Sequence, residues 1–166
     1  MNPIEETGDA LTRDMNCSDG WQVTGYYTPG ESEFHGSPEE IEIHGYGRDQ
    51  FPADFLRRVK IEGWGLTRHG WYLGWEHRWL KNDAALNARG QALHIGSLAV
   101  DPAIIPLGKQ VRIPTLVAPW NTQLFVADDT GGAIRGKHVD VYCGAGPAAH
   151  AETLRITANH QRVCVG

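Results

Sequence analysis

Thirteen residues from Asp128 to Asp140, "DDTGGAIRGKHVD", carry the most concentrated chemistry in the 166-residue chain. Carboxylates stand at both ends of a loop that holds Gly131, Gly132 and Gly136. A positioned carboxyl group can give a proton to a reacting atom and take one back. Arg135, Lys137 and His138 supply positive charge that holds a neighbouring carboxylate ionised. The glycines permit positive φ and a close approach of main chain to a ligand or a second loop. The same residues also fit a tight strand-to-strand turn whose Asp and Thr cap backbone amides.

Strand alternation separates the aspartates. In "HVDVYC", Val139, Val141 and Cys143 share one face and Asp140 shares the other with Tyr142. In "LFVADD", Asp128 falls with Leu124 and Val126, whereas Asp129 falls with Phe125 and Ala127. If that strand is regular to its end, Asp128 and Asp129 cannot serve one site. Asp128 then reads as turn trim. Asp140 lies mid-strand between two valines, a position that solubility alone does not explain.

Other reactive side chains show weaker patterns. The eight histidines contain no HExxH and no close pair. His35, His44, His69 and His77 are spread over loops, so they read as solvated or structural, with no metal site. Cys143 as a thiol nucleophile is opposed by alternation, which turns it away from Asp140 and into the core. Glu76, among aromatic residues, reads as a second acid or, more simply, as a surface glutamate.

These residues must be positioned by a β-rich fold. Twenty glycines and nine prolines indicate many turns. Strands are expected at Trp21 to Pro29, Glu40 to Gly47, residues 95–100 and 110–113, and in "QLFVADD", "HVDVYCG" and "RVCVG". Short helices are expected over 52–62, opened by Pro52, and in "GPAAHAETLRI". Residues 63–94 read as an irregular, aromatic-rich insert, and residues 1–19 as a polar, loose leader before a single domain over 20–166. Together these elements describe a mainly β barrel.

Composition excludes other classes. A formal net charge of −5 opposes nonspecific nucleic-acid binding. No apolar run is long enough to span a membrane, and the acidic N-terminus lacks the apolar centre of a secretory signal. Three cysteines are too few for a disulfide scaffold, although Cys143 and Cys164 are a possible single pair. Oligomeric state is not legible.

"ADDTGGAIRGKHVDVYCG" resembles the signature of the three-aspartate (3D) domain shared with MltA-type lytic transglycosylases. "LAVDPAIIPLGKQVRIP" resembles the same domain's aspartate-proline and "IPLG" turn, and "VTGYYTP" its N-terminal "TGYY-P" element. The resemblance implies a double-psi β-barrel with short peripheral helices, in the compact single-domain form. It assigns Asp140 as catalytic acid and base, with Asp129 and Asp101 in support. Thr24 and Tyr26, inside the "TGYY" element, and Gly131 and Gly132 in the loop become candidates for substrate contact.

The implied reaction cleaves the β-1,4 bond between N-acetylmuramic acid and N-acetylglucosamine in peptidoglycan. One carboxylic acid protonates the leaving oxygen. The resulting carboxylate then takes the proton of the muramoyl C6 hydroxyl, which closes a 1,6-anhydro ring without water, metal or cofactor. Asp140 must begin protonated, which burial or neighbouring carboxylates would favour. Four tryptophans lie between residues 64 and 79. Trp71, Trp75 and Trp79 either stack on sugar faces or fill core. Alternatives are an expansin-like module that grips glycan without cutting, and a two-carboxylate muramidase. The expected place of action is the periplasm or cell wall, as a phage lysis enzyme or a truncated envelope protein.

Overall fold

A computed structural model describes residues 10–166, so the first nine residues of the expected leader lie outside the described residues. In chain order the strands are β1 (Asn16–Thr28), β2 (Pro38–Ile43), β3 (Gly47–Pro52), β4 (Trp64–Leu66), β5 (Tyr72–Trp75), β6 (Trp79–Asn82), β7 (Ser97–Ala99), β8 (Gln110–Arg112), β9 (Phe125–Asp129), β10 (His138–Ala145) and β11 (Ala158–Val165). The helices are α1 (Ala53–Glu62) and α2 (Gly146–Ile156). β1 begins at Asn16, inside the segment read as leader. The chain divides into two compact units. One gathers the described residues up to Gly25 with His94–Tyr142 and Thr153–Gly166, and the other joins Tyr26–Leu93 to Cys143–Glu152.

The first unit is built on a closed six-stranded barrel in the order β1-β10-β7-β9-β8-β11. β7 and β9 run parallel, whereas β11 is antiparallel to both β1 and β8. Val23, Leu98, Val111, Phe125, Ala127, Val139, Val141 and Val163 are buried in it, as the alternation along β10 requires. Gly25, in the "TGYY" element, is a packing residue: a Cβ there would stand 2.8 Å from the Thr153 Cα and 3.1 Å from Ile156 Cδ1.

The cysteine expectation is corrected here. Cys17 is bonded to Cys164, and Cys143 is a buried thiol outside the disulfide. Cys17 and Cys164 face each other in the β1–β11 register. β1 lies between β10 and β11, which leaves Cys143 two strand spacings from Cys164, about 10 Å. A disulfide cannot bridge Cα atoms more than about 7 Å apart.

The second unit is a five-stranded sheet, order β3-β2-β6-β5-β4. Phe55, Leu56 and Val59 of α1 join Ile41, Ile43, Phe51, Leu73 and Trp79 in its core. The segment 63–94 is therefore not irregular: it supplies β4, β5 and β6. Its glycines suggest turns in sequence, but two of them sit within strands because neighbouring side chains occupy the Cβ space. A Cβ on Gly65 would lie 2.6 Å from Val59 and 2.7 Å from Phe55, and one on Gly74 would lie 2.6 Å from the Trp64 ring.

Glu62, at the end of α1, carries a carboxyl pushed up to about 6 by burial, although the Tyr27 amide (3.3 Å) and Arg58 oppose the shift. A folded pKa above the unfolded value makes the glutamate stabilising below about pH 4, with the benefit lost as pH rises through 6. Glu62→Gln should therefore raise stability at pH 8, by about 2 kcal/mol at most, and leave it unchanged at pH 4. Urea unfolding at the two pH values reads the difference.

Candidate active site

Asp140 sits in β10 between the buried Val139 and Val141. Its register partner on β7 is Ala99, and Ala99 in turn pairs with Asp129 on β9. Side chains directly opposite on neighbouring strands share a face. Asp140 and Asp129 thus flank one methyl group, with Cα atoms about 10 Å apart.

A bulge creates this row. Leu98 pairs with Ala127, but Ala99 pairs with Asp129, so Asp128 is skipped in the ladder. An extra residue bends its strand and re-aims the side chains beyond it. Asp128 is thereby folded inward. It is only 4% exposed, accepts a hydrogen bond from the Ser97 hydroxyl (3.0 Å), and lies 3.6 Å from His94 Nε2. The reading of Asp128 as turn trim is corrected. Alternation assumes an unbroken ladder, and nothing in "VADD" announces the break.

Asp101 comes just after β7 and ties two loops together. One carboxyl oxygen accepts the Ala103 amide (3.0 Å), the other the Gly136 amide (2.9 Å). These two bonds, with the charge of Arg135, hold its carboxyl below the usual carboxylate range. The depressed value means that the clamp is present at neutral pH and lost as pH falls through it. Asp101→Ala should free the Gly136 side of the loop and lower activity. Hydrogen exchange at the Gly136 amide, faster in the variant, is the direct measurement.

Thr24, on β1, places its hydroxyl 2.9 Å from Asp140 Oδ1 and 2.8 Å from His138 Nε2. The Ala133 carbonyl acts on the His138 ring to favour its charged form. Burial nevertheless drives its pKa below the ordinary histidine value. Thr24, Asp129, Asp140 and Asp101 are all half-buried. His138 was legible in sequence only as a nearby charge, because the loop brings it to a threonine 114 residues earlier.

Gly131 and Gly132 are exposed, and a Cβ on Gly132 would meet open space. Tyr26 is buried at 7% exposure. In the second unit, Trp71 and Trp75 are half-buried against the sheet core. The Lys60 ammonium lies 4.3 Å over the Trp75 ring. Trp71 stacks on His69, with ring centroids 5.4 Å apart.

Three aspartates, after β7, on β9 and on β10, fall within residues 96–159, which match the family model of the 3D domain. More particularly, the fold of the chain is similar to that of solved MltA structures. An 84-residue segment is 36% identical to membrane-bound lytic murein transglycosylase A of Vibrio cholerae, covering 43% of this chain and 23% of that relative. The chain thus matches about a quarter of that relative's length. Escherichia coli MltA, solved with bound chitohexaose, superposes with a TM-score of 0.64 at 19% identity, over 89% of this chain and 71% of that one. The membrane-bound lytic murein transglycosylase of Agrobacterium tumefaciens gives 0.60 at 15% identity, over 97% and 78%.

Proposed function

We propose that this chain is a peptidoglycan lytic transglycosylase that cleaves the MurNAc–GlcNAc β-1,4 bond and leaves 1,6-anhydro-muramoyl ends. The observation that carries this reading is the setting of Asp140: a half-buried carboxyl in mid-strand, hydrogen-bonded to Thr24 and in one row with Asp129. Asp140 protonates the glycosidic oxygen and then, as carboxylate, removes the C6 hydroxyl proton as that oxygen attacks C1. A single group suffices because the nucleophile belongs to the substrate. Asp129 contributes negative charge on the same face, which favours the protonated form of Asp140. Asp101 keeps the glycine loop in place, and Gly131 and Gly132 offer exposed backbone to the sugar.

The six-stranded barrel, in which β7 and β9 run parallel, is, in this proposal, a double-psi barrel. Thr24 and Tyr26 serve the substrate from β1, Tyr26 as a buried support, and Trp71 and Trp75 are sugar-stacking surfaces. The Cys17–Cys164 bond suits an oxidising compartment, which fits action on the wall from the periplasmic side. Among the described residues no helix is long and apolar enough to cross a membrane.

Mass spectrometry of digested sacculi tests the reaction. Anhydro-muramoyl ends support it; reducing ends would make the protein a muramidase, and intact glycan a binding module.

A further inference from the structure

The hydrogen bonds around Thr24 do not balance for every protonation state of their partners. A threonine hydroxyl has one proton to donate, yet Thr24 Oγ1 lies within hydrogen-bond distance of both Asp140 Oδ1 and His138 Nε2. The Ala133 carbonyl acts on the ring to favour its charged form, and with the proton of the neutral ring on Nδ1, Nε2 is left to Thr24. Two states then satisfy the bridge from His138 Nε2 through Thr24 Oγ1 to Asp140 Oδ1. In the first, Asp140 is a carboxylate accepting the Thr24 proton, and Nε2–H donates to Oγ1, so His138 is an imidazolium. In the second, His138 is neutral, Nε2 accepts the Thr24 proton, and Oγ1 accepts the O–H of a protonated Asp140. The two states differ by a concerted shift: the Nε2 proton passes to Oγ1 as the Oγ1 proton passes to Oδ1. No atom is gained or lost.

We propose that Thr24 and His138 form a proton relay that holds Asp140 in its acid form, with His138 a positioning residue acting through the threonine hydroxyl. This rests on the transglycosylase reading and supplies what that mechanism requires, a carboxyl group that begins the cycle protonated. Burial of the imidazole favours the neutral ring and so moves the shared proton to Asp140. If the shared proton is lost, a carboxylate and a neutral Nε2 compete for the single Thr24 hydroxyl proton, which disfavours that loss. After the leaving oxygen is protonated, the same competition draws the C6 proton back to Asp140.

The other charged groups on the surrounding elements are Asp129 at the end of β9, Asp101 after β7, Arg135 and Lys137 in the loop, and Asp19 on β1. Asp101 is committed to the Gly136 and Ala103 amides, and the Lys137 ammonium to the Asp19 carbonyl at 2.8 Å. Asp129 adds to the field on Asp140 but stands outside the threonine bridge.

The pH profile of kcat/KM for anhydro-product release tests the relay. Thr24→Val and His138→Gln should each move the alkaline limb down by about one pH unit. Thr24→Ser should keep the wild-type limb, and the double variant should show no further shift. Equal losses at every pH, or additive shifts, would overturn the relay. A measurement independent of turnover is the 15N spectrum of the His138 ring. It should show the neutral Nδ1–H tautomer near pH 7 and a titration displaced by Asp140→Asn. An Nε2–H tautomer, or a titration indifferent to Asp140→Asn, would overturn the relay even in an active enzyme. A wild-type chain that yields no anhydro ends but shows the expected 15N behaviour would instead sink the transglycosylase reading alone.

Discussion

Asp140→Asn should abolish release of anhydro-muramoyl products, with kcat down at least about 10³-fold and the fold unchanged. The size reflects the double duty proposed for this group. General acid or base catalysis is worth about 10² to 10⁴ for one proton transfer, and here one carboxyl performs both transfers. A 10³-fold loss corresponds to about 4 kcal/mol of transition-state stabilisation. The structural cost is small, because asparagine has the same shape and its amide can donate to Thr24 or accept from it. KM should change little, since the loss falls on the transition state rather than on binding. Asp129→Asn should cost less, because that residue acts only through its field. The measurement is turnover of purified sacculi beside thermal unfolding of both variants. Full activity in Asp140→Asn, or a larger loss in Asp129→Asn, removes Asp140 from the reacting position.

The face on which Asp140 lies was legible in sequence because the apolar residues of its strand alternate cleanly, whereas Asp101 was singled out only by the family resemblance. Val139 and Val141 mark the buried face of β10, and Asp140 must then face the other way. Alternation carried no information about the bulge at Asp128, since a bulge is a property of two paired strands and the sequence shows one at a time. The "TGYY" element pointed to Thr24 and could not name its partners, which come from residues more than a hundred positions later. Helix α1 was visible from Phe55, Leu56 and Val59 at helical spacing. Strands β4 to β6 were not, because Gly65 and Gly74 resemble turn residues until Val59, Phe55 and Trp64 occupy their Cβ space. The disulfide was misplaced for a related reason: strand order in a closed barrel decides which cysteines meet.

That pairing has a large and separable consequence. Cys17→Ser should lower stability by roughly 2–5 kcal/mol, the usual cost of losing a native disulfide. At about 2–4 °C per kcal/mol for a chain of this size, the melting temperature should fall by roughly 5–20 °C. The bond closes a loop with a sequence separation of 147 residues, and longer loops restrict the unfolded chain more. It also pins the β1–β11 seam, where the register shifts after Ser18 and again after Trp21 and the ladder is least regular. Activity measured well below the melting temperature should survive, because Thr24 and Asp140 lie away from Cys17 along β1 and on β10. Cys143→Ser should give a much smaller change, limited to placing a hydroxyl in a buried thiol site. Reductant should lower the melting temperatures of wild type and Cys143→Ser alike, and leave that of Cys17→Ser unmoved. If instead Cys143→Ser is indifferent to reductant, the bond joins Cys143, and the β1–β11 seam is held by its strand pairing alone.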